Sequence, residues 1–216
     1  MTNWDTIITT LERWKAAQEP AVTSIALQTK RDPWAVLVST LISLRTKDAV
    51  TLARSKIFLE AAADPVALCA MPEERVAQLI YPAGFYRTKA ANLKRIAAIL
   101  VADYHNHVPD TLEQLLALPG VGRKTANLVL IEAFDKDGIC VDVHVHRIAN
   151  RTGWVATKDP DRTEEMLRRL LPRVYWKRIN MLLVLYGQQV CRPVSPLCSS
   201  CILRQHCERR GVLRSR

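Results

Sequence analysis

The chain has 216 residues, 49% of them hydrophobic, and a formal net charge of +10 at pH 7. This length allows one large domain or two small ones with a buried core, and no apolar run reaches the roughly 20 residues of a membrane span. The first residues lack the basic and apolar regions of a secretory signal, so we expect a cytoplasmic protein that does not associate with a membrane.

Apolar residues recur at helical spacing along most of the chain, and Asp, Pro or Gly separates the segments. In chain order, the predicted helices are WDTIITTLERWKAAQ (4–18), PWAVLVSTLISL (33–44), DAVTLARSKIFLEAA (48–62), PEERVAQLI (72–80), KAANLKRIAAILVADYH (89–105), TLEQLLAL (111–118), GRKTANLVLIEAF (122–134), DRTEEMLRRLLPRV (161–174) and RINMLLVLYGQQV (178–190). No alternating run predicts a sheet. We therefore expect an all-α protein, with two helical lobes and a cleft between them.

The segment LPGVG at 118–122 joins two of these helices and predicts a helix-hairpin-helix at 111–131. Glycine tolerates positive φ and lets another backbone come close, and the N–H groups of a helix start can bind a phosphate. We expect Gly120, Val121, Gly122 and Arg123 to contact the sugar-phosphate backbone of a nucleic acid. The alternative is a pair of packed helices that binds nothing at this turn.

Lys124 follows the turn directly, where unpaired N–H groups make a cation unfavourable. The residue pattern leaves three interpretations of this lysine open. They are a solvated surface residue, a phosphate contact, and a partly neutral amine that acts as a nucleophile.

The segment CVDVHVHRI is the one strand-like candidate. As a strand it would place Asp142, His144 and His146 on one face, as in a metal site. As a helix start it would make Asp142 an N-cap and the two histidines would diverge. We favour the helix start, because no third type of ligand follows at a metal-site spacing.

The C-terminal segment is basic and rich in cysteine. Residues 168–216 contain eleven Lys or Arg and one acidic residue, whereas the rest of the chain is balanced, which indicates a polyanion partner or a solvated basic tail. Cys191, Cys198, Cys201 and Cys207 are spaced C-x6-C-x2-C-x5-C and could bind zinc or a [4Fe–4S] cluster. Cys69 and Cys140 are predicted to be small buried hydrophobic residues.

The segment LPGVGRKTA, followed by VDVHVHR, closely resembles the helix-hairpin-helix DNA glycosylases of the endonuclease III type. The resemblance runs through essentially the whole chain, including LISLRTKD and AGFYRTKAANL in its first half. It implies a central domain at 22–136 that carries the hairpin. It also implies a second domain, 1–21 plus 137–216, that carries Asp142 and a cluster loop at 191–207.

The same resemblance implies a bifunctional DNA glycosylase and AP lyase of base excision repair. Such an enzyme excises oxidised pyrimidines from duplex DNA through a lysine Schiff base and cleaves 3′ to the abasic site by β-elimination. Lys124 would be the nucleophile, which must be neutral to attack, and partial burial at a helix start favours that form. Asp142 would stabilise the positive charge that develops on the sugar as the base leaves.

The resemblance also assigns the cofactor and the remaining site residues. The cysteine spacing is the family's [4Fe–4S] signature, with a structural role, and Arg192 lies in the loop that meets the DNA backbone. Arg45 and Phe85 align with the residues that fill the gap left by a flipped nucleotide, where many relatives carry glutamine and leucine. The alternative is that Phe85 and Tyr86 are core aromatics at a turn.

The expected partner is double-stranded DNA with damaged bases or abasic sites, bound by a monomer in the nucleoid of a prokaryotic cell. Two rival interpretations remain at this point. One is a non-catalytic helix-hairpin-helix module that binds DNA and holds zinc. The other is a sister glycosylase that excises adenine, or thymine from a mismatch.

Overall fold

The computed structural model describes residues 2–15 and 19–216, and within these ranges the secondary structure is entirely helical, as predicted. The first six helices are α1 (Trp4–Trp14), α2 (Ala21–Gln28), α3 (Pro33–Ser43), α4 (Asp48–Ala61), α5 (Pro65–Ala70) and α6 (Glu73–Ile80). The next six are α7 (Tyr86–Asp103), α8 (Leu112–Leu116), α9 (Arg123–Phe134), α10 (Val143–Thr152), α11 (Pro160–Leu170) and α12 (Trp176–Gln189). Two short 3-10 helices lie at Arg173–Tyr175 and Arg204–His206.

The chain folds into two compact units. The inserted unit is Pro20–Lys136 and contains α2 to α9, and the terminal unit is Met1–Glu19 plus Asp137–Arg216 and contains α1 and α10 to α12. The sequence predicted one domain at 22–136 and a second at 1–21 plus 137–216. The predicted first boundary lies two residues after the observed one, and the second boundary is the same.

The inserted unit is built around α3. Asp32 caps this helix by accepting a hydrogen bond from the Ala35 N–H at 2.7 Å, and Pro33 occupies its first turn, where the missing N–H is not needed. The helix is apolar on nearly every face, so it packs against α2, α4 and α9 at once. Helix α9 is thereby held by the core, which fixes the end of the hairpin.

The core of the terminal unit joins α1 to α10 and α12. Trp4 packs edge-on against Trp154 with ring centroids 4.9 Å apart, and Trp14 packs edge-on against Tyr186 at 4.8 Å. The apolar face of α1, which includes Ile8, is fully buried in the same cluster. The first stretch of the chain is therefore an integral part of the unit that contains the four clustered cysteines.

Several details differ from the sequence prediction. The first helix was expected to span 4–18, but it ends at Trp14, and residues 16–18 lie outside the described part of the chain. Cys140 is buried as predicted, whereas Cys69 is exposed, because it lies on the outer side of the short helix α5. Among the described residues, no helix is long and apolar enough to cross a membrane.

Candidate functional site

The turn between α8 and α9 uses its two glycines for different purposes. Gly120 has a φ of +78°, which side-chain-bearing residues rarely adopt, and a Cβ there would lie 2.4 Å from the Nδ2 atom of Asn92, so the backbone favours glycine. Gly122 is exposed, and a Cβ there would meet no atom within 4 Å. The backbone conformation therefore favours glycine at 120, while Gly122 leaves the start of α9 open to another molecule.

The remaining hairpin residues divide into a buried anchor and half-buried cations. Val121 is only 7% exposed and its N–H donates to the Leu118 carbonyl oxygen at 3.1 Å, so it anchors the turn. Arg123 and Lys124 are the first two residues of α9 and are both half-buried. Lys124 is thus held at the positive end of a 12-residue helix, as expected.

Asp142 is the N-cap of α10, so the helix-start interpretation is correct and the strand-like one is wrong. Its Oδ1 accepts hydrogen bonds from the His144 N–H at 2.8 Å and the Val145 N–H at 2.9 Å, and the residue is 8% exposed. His146 is directed instead to the Thr163 hydroxyl, 2.7 Å from its Nδ1. Across residues 2–15 and 19–216, no three His, Cys, Asp or Glu side chains form a site for a single metal ion.

Four cysteines of the terminal unit line one partly open cavity. All four are free thiols and partly exposed, and they are Cys191, Cys198, Cys201 and Cys207. Apolar side chains supply much of the remaining wall, including Ile148, Val190, Leu197 and Leu203. Four soft thiol donors around one cavity fit an iron–sulfur cluster.

Polar groups also approach these sulfur atoms. The Arg209 N–H donates to Cys207 Sγ at 3.4 Å, and Arg151 Nη1 donates to Cys191 Sγ at 3.6 Å. The Tyr186 hydroxyl lies 3.0 Å from Cys201 Sγ. Burial raises the pKa of the Cys207 thiol, so a thiolate there needs a nearby positive charge, which a bound metal supplies.

Two arginines on α10 hold the loop that carries Arg192, and the sequence did not reveal them. Arg147 donates to the carbonyl oxygens of Gly187 and Cys191, and burial lowers its pKa. Arg151 donates to the carbonyl oxygens of Arg192 and Pro193, each at 2.7 Å. Arg192 itself is exposed. Its carbonyl group is held by Arg151, and its side chain lies at the surface.

The basic C-terminal segment is partly neutralised within the terminal unit. Four of its arginines pair with acidic side chains, in the pairs Arg168–Glu164, Arg173–Asp137, Arg178–Glu12 and Arg210–Glu208. The positive surface available to a polyanion is therefore narrower than the count of basic residues indicates.

The structure brings Arg45 and Phe85 together in the inserted unit. Both are non-glycine residues in the left-handed region, with φ of +52° and +57°. The Arg45 guanidinium lies 5.3 Å from the centroid of the Phe85 ring. Phe85 is 62% exposed, so its interpretation as a core aromatic is wrong.

Residues 38–173, more than half of the chain, match the family described as HhH-GPD superfamily base excision DNA repair protein. The chain belongs to this superfamily. Endonuclease III of Thermotoga maritima is 49% identical to this HhH-GPD protein over 183 residues, which cover 83% of this chain and 86% of that one. Endonuclease III-like protein 1 of Gallus gallus is 42% identical over 175 residues, which cover 80% of this chain and 62% of that one.

Solved structures give the same assignment. A trapped covalent intermediate of endonuclease III and DNA, an estranged-adenine complex, has a TM-score of 0.81 and 29% identity over 97% of both chains. A thermostable thymine-DNA glycosylase, 23% identical with a TM-score of 0.75, covers 87% of this chain and 92% of its own and shows the shared fold alone. The predicted resemblance is confirmed, and this HhH-GPD protein is an endonuclease III-type DNA glycosylase/AP lyase.

Proposed function

We propose that this HhH-GPD protein acts as a monomer on damaged duplex DNA, excises oxidised pyrimidines, and then cleaves the strand 3′ to the abasic site. The observation that carries the proposal is the position of Lys124. It is half-buried at the second position of α9, directly after a turn whose outer backbone is open. A phosphate bound at the start of α9 would place the neighbouring sugar within reach of this amine.

The proposed reaction uses the neutral amine of Lys124. Its Nζ attacks C1′ of the extruded nucleotide while the bond from C1′ to the base nitrogen breaks, and the base leaves with a proton. Opening of the sugar ring yields a Schiff base between Nζ and C1′. Loss of a proton from C2′ then breaks the bond to the 3′ oxygen, and water hydrolyses the Schiff base to release the lysine. The trapped covalent intermediate of an endonuclease III with DNA supports a covalent enzyme–DNA step.

Asp142 supplies the negative charge in this proposal. A carboxylate near C1′ stabilises the positive charge that develops as the base departs, and it can accept the proton that the amine must lose. Its cap bonds to the His144 and Val145 N–H groups fix the carboxylate in one rotamer. The group is therefore oriented before the substrate binds.

We also propose that the four cysteines of the cavity hold a [4Fe–4S] cluster. The four thiol donors and the apolar wall of this cavity support the assignment. When bound, the cluster would supply a cross-link that keeps the loop from Cys191 to Cys198 folded. That loop presents Arg192, and we propose that Arg192 contacts a DNA phosphate.

Borohydride trapping tests the proposed function. Wild-type protein incubated with a duplex containing an oxidised pyrimidine should form a stable protein–DNA adduct on reduction, and Lys124→Ala should form none. Lys136→Ala is the matched control, because Lys136 follows the same helix but is ion-paired with Asp110 at its far end. An undiminished adduct with Lys124→Ala would identify another amine as the nucleophile and overturn the proposal.

A further inference from the structure

Arg45 and Phe85 lie on two separate turns that meet at the surface of the inserted unit. Arg45 lies between α3 and α4, and Phe85 precedes α7 as its N-cap. Left-handed backbone at a non-glycine residue is unfavourable, and it persists only where surrounding contacts impose it. Something in the structure must therefore hold both turns.

Lys89 lies near the start of helix α7, and its side chain contacts the turn that carries Arg45. Its side chain is buried, with the residue 7% exposed. Its Nζ donates to the Ile42 carbonyl oxygen at 2.7 Å, the Leu44 carbonyl oxygen at 2.6 Å and the Thr46 hydroxyl at 3.1 Å. An ammonium group has three donors and no acceptor, so these three bonds use its full capacity. Together they hold the chain on both sides of Arg45.

Thr46 extends this network to the second turn. Its hydroxyl oxygen accepts a hydrogen bond from the Gly84 N–H at 3.1 Å, one residue before Phe85. The two turns are also in close contact there, because a Cβ on Gly84 would lie 2.4 Å from the Arg45 carbonyl oxygen. A single chain of contacts, from Lys89 through Thr46 to Gly84, thus links the backbones of Arg45 and Phe85.

The burial of Lys89 is unfavourable for the folded protein as such. Burial lowers its pKa to about 8, which means that the surroundings disfavour the charge. Lys89 also cannot reach a DNA phosphate, because its ammonium is enclosed by the three acceptors. Its position is thus best explained by what it does to the two turns.

We propose that Lys89 is a positioning residue for nucleotide extrusion: it locks the Arg45 turn against the Phe85 turn, so that both side chains enter the DNA as one rigid wedge. This inference rests on the proposed function, since only an enzyme that extrudes a nucleotide needs such a wedge. Lys89 touches neither the DNA nor the reacting atoms, and it acts through Arg45 and Phe85.

Lys89→Met tests the proposal, with Lys94→Met as its matched control. Lys94 lies on the same helix, and its Nζ also donates to three oxygen atoms, the carbonyls of Leu68, Cys69 and Met71, away from both turns. Two single-turnover rates are compared for each protein. One is excision of an oxidised pyrimidine paired in a duplex, and the other is strand cleavage at a preformed abasic site, where no base pair must be broken.

For Lys89→Met, we expect the ratio of excision to abasic-site cleavage to fall at least about tenfold, which corresponds to about 1.4 kcal/mol in the extrusion step. Lys94→Met should leave the ratio unchanged. A 2-aminopurine placed opposite the lesion reports opening of the stack directly, and its fluorescence rise should be slower with Lys89→Met. Equal losses at both substrates would make Lys89 a purely structural residue and overturn the proposal.

A second variant covers the case in which Lys89→Met does not fold. Thr46→Val removes only the hydroxyl that links Lys89 to Gly84, and it should lower the same ratio by a smaller factor. An unchanged ratio with folded Thr46→Val would contradict the proposed link. Borohydride trapping of the wild-type protein on the abasic duplex is measured separately, and absence of any adduct there would refute the proposed function. The ratio of excision to abasic-site cleavage, compared between variants, tests only the role of Lys89.

Discussion

Asp142 combines two roles that substitution can separate, because one oxygen caps α10 while the charge of the whole carboxylate serves the proposed chemistry. Asp142→Ala removes the acceptor of two N–H groups bonded at 2.8 and 2.9 Å, in a residue only 8% exposed. Loss of a buried cap should lower the free energy of unfolding by about 2 kcal/mol. Asp142→Asn keeps a capping oxygen and loses only the charge at the helix start, about 0.3–1 kcal/mol.

The two variants should therefore differ in stability and agree in activity. For a protein of this length, about 1 kcal/mol shifts Tm by roughly 2–4 °C, so we expect a drop of about 4–8 °C for Asp142→Ala and at most about half of that for Asp142→Asn. Single-turnover base excision should fall by a factor on the order of 10² to 10³ in both, the usual loss when a group that stabilises transition-state charge is removed.

Asp159 provides the control for capping alone. It is the N-cap of α11 in the same unit, and its Oδ1 accepts from the Arg162 N–H at 2.8 Å. Asp159→Ala should lower Tm and leave excision unchanged. If Asp142→Asn excises at the wild-type rate while Asp142→Ala loses only stability, Asp142 is a cap and nothing more, and the proposed electrostatic role is wrong.

Three further outcomes are expected. We expect the wild type to prefer damage opposite guanine, because guanine presents two acceptors to the Arg45 guanidinium, a contact that contributes about 1–3 kcal/mol, and Arg45→Gln should reduce this preference. Single-turnover excision of one lesion opposite each of the four bases measures the preference. Identical profiles for the two proteins would show that Arg45 does not have this role. Anaerobically purified protein should contain about four iron atoms per chain and absorb at roughly 400 nm. Stoichiometric zinc without iron would contradict the cluster assignment. The folded pKa of Lys89, about 8, is below its value of about 10.4 in the unfolded chain, so the unfolded state binds more protons between these pH values. The free energy of unfolding of the wild type relative to Lys89→Met should therefore rise by about 2.5 kcal/mol as pH increases from 8 to 10.4, and a flat difference would show that Lys89 is not desolvated.

The sequence predicted most helices, including the five-residue α8, and it missed α2 and α5 for physical reasons. Helix α3 was expected at 33–44 and spans Pro33–Ser43, because Asp32 and Pro33 mark its start and its apolar pattern is unbroken. Helix α2 has no side-chain cap and only eight residues, so packing against α3 and α4 stabilises it rather than its own sequence. Helix α5 has six residues, too few to show a helical period.

The candidate site shows the same limit. Lys124, Asp142 and the four clustered cysteines were visible because local motifs surround them, and their roles stay predictions until they are tested. Lys89 was not visible, because its acceptors are more than forty residues earlier in the chain and only the folded unit brings them to its ammonium. From the sequence alone, a lysine on an amphipathic helix is predicted to be solvated, because its tertiary partners are not known.

The division of the terminal unit between the two ends of the chain has a consequence for biosynthesis. Helix α1 is synthesised before the inserted unit, yet the rings that cover it, Trp154 and Tyr186, follow the inserted unit in the chain. The inserted unit can fold while translation continues, whereas the apolar face of α1 must wait for its partners. Folding of the inserted unit replaces a long flexible loop with a compact body, which reduces the entropy lost when the two ends finally join. The four clustered cysteines lie in the unit that is completed last, so loading of the proposed cluster would follow folding of the inserted unit.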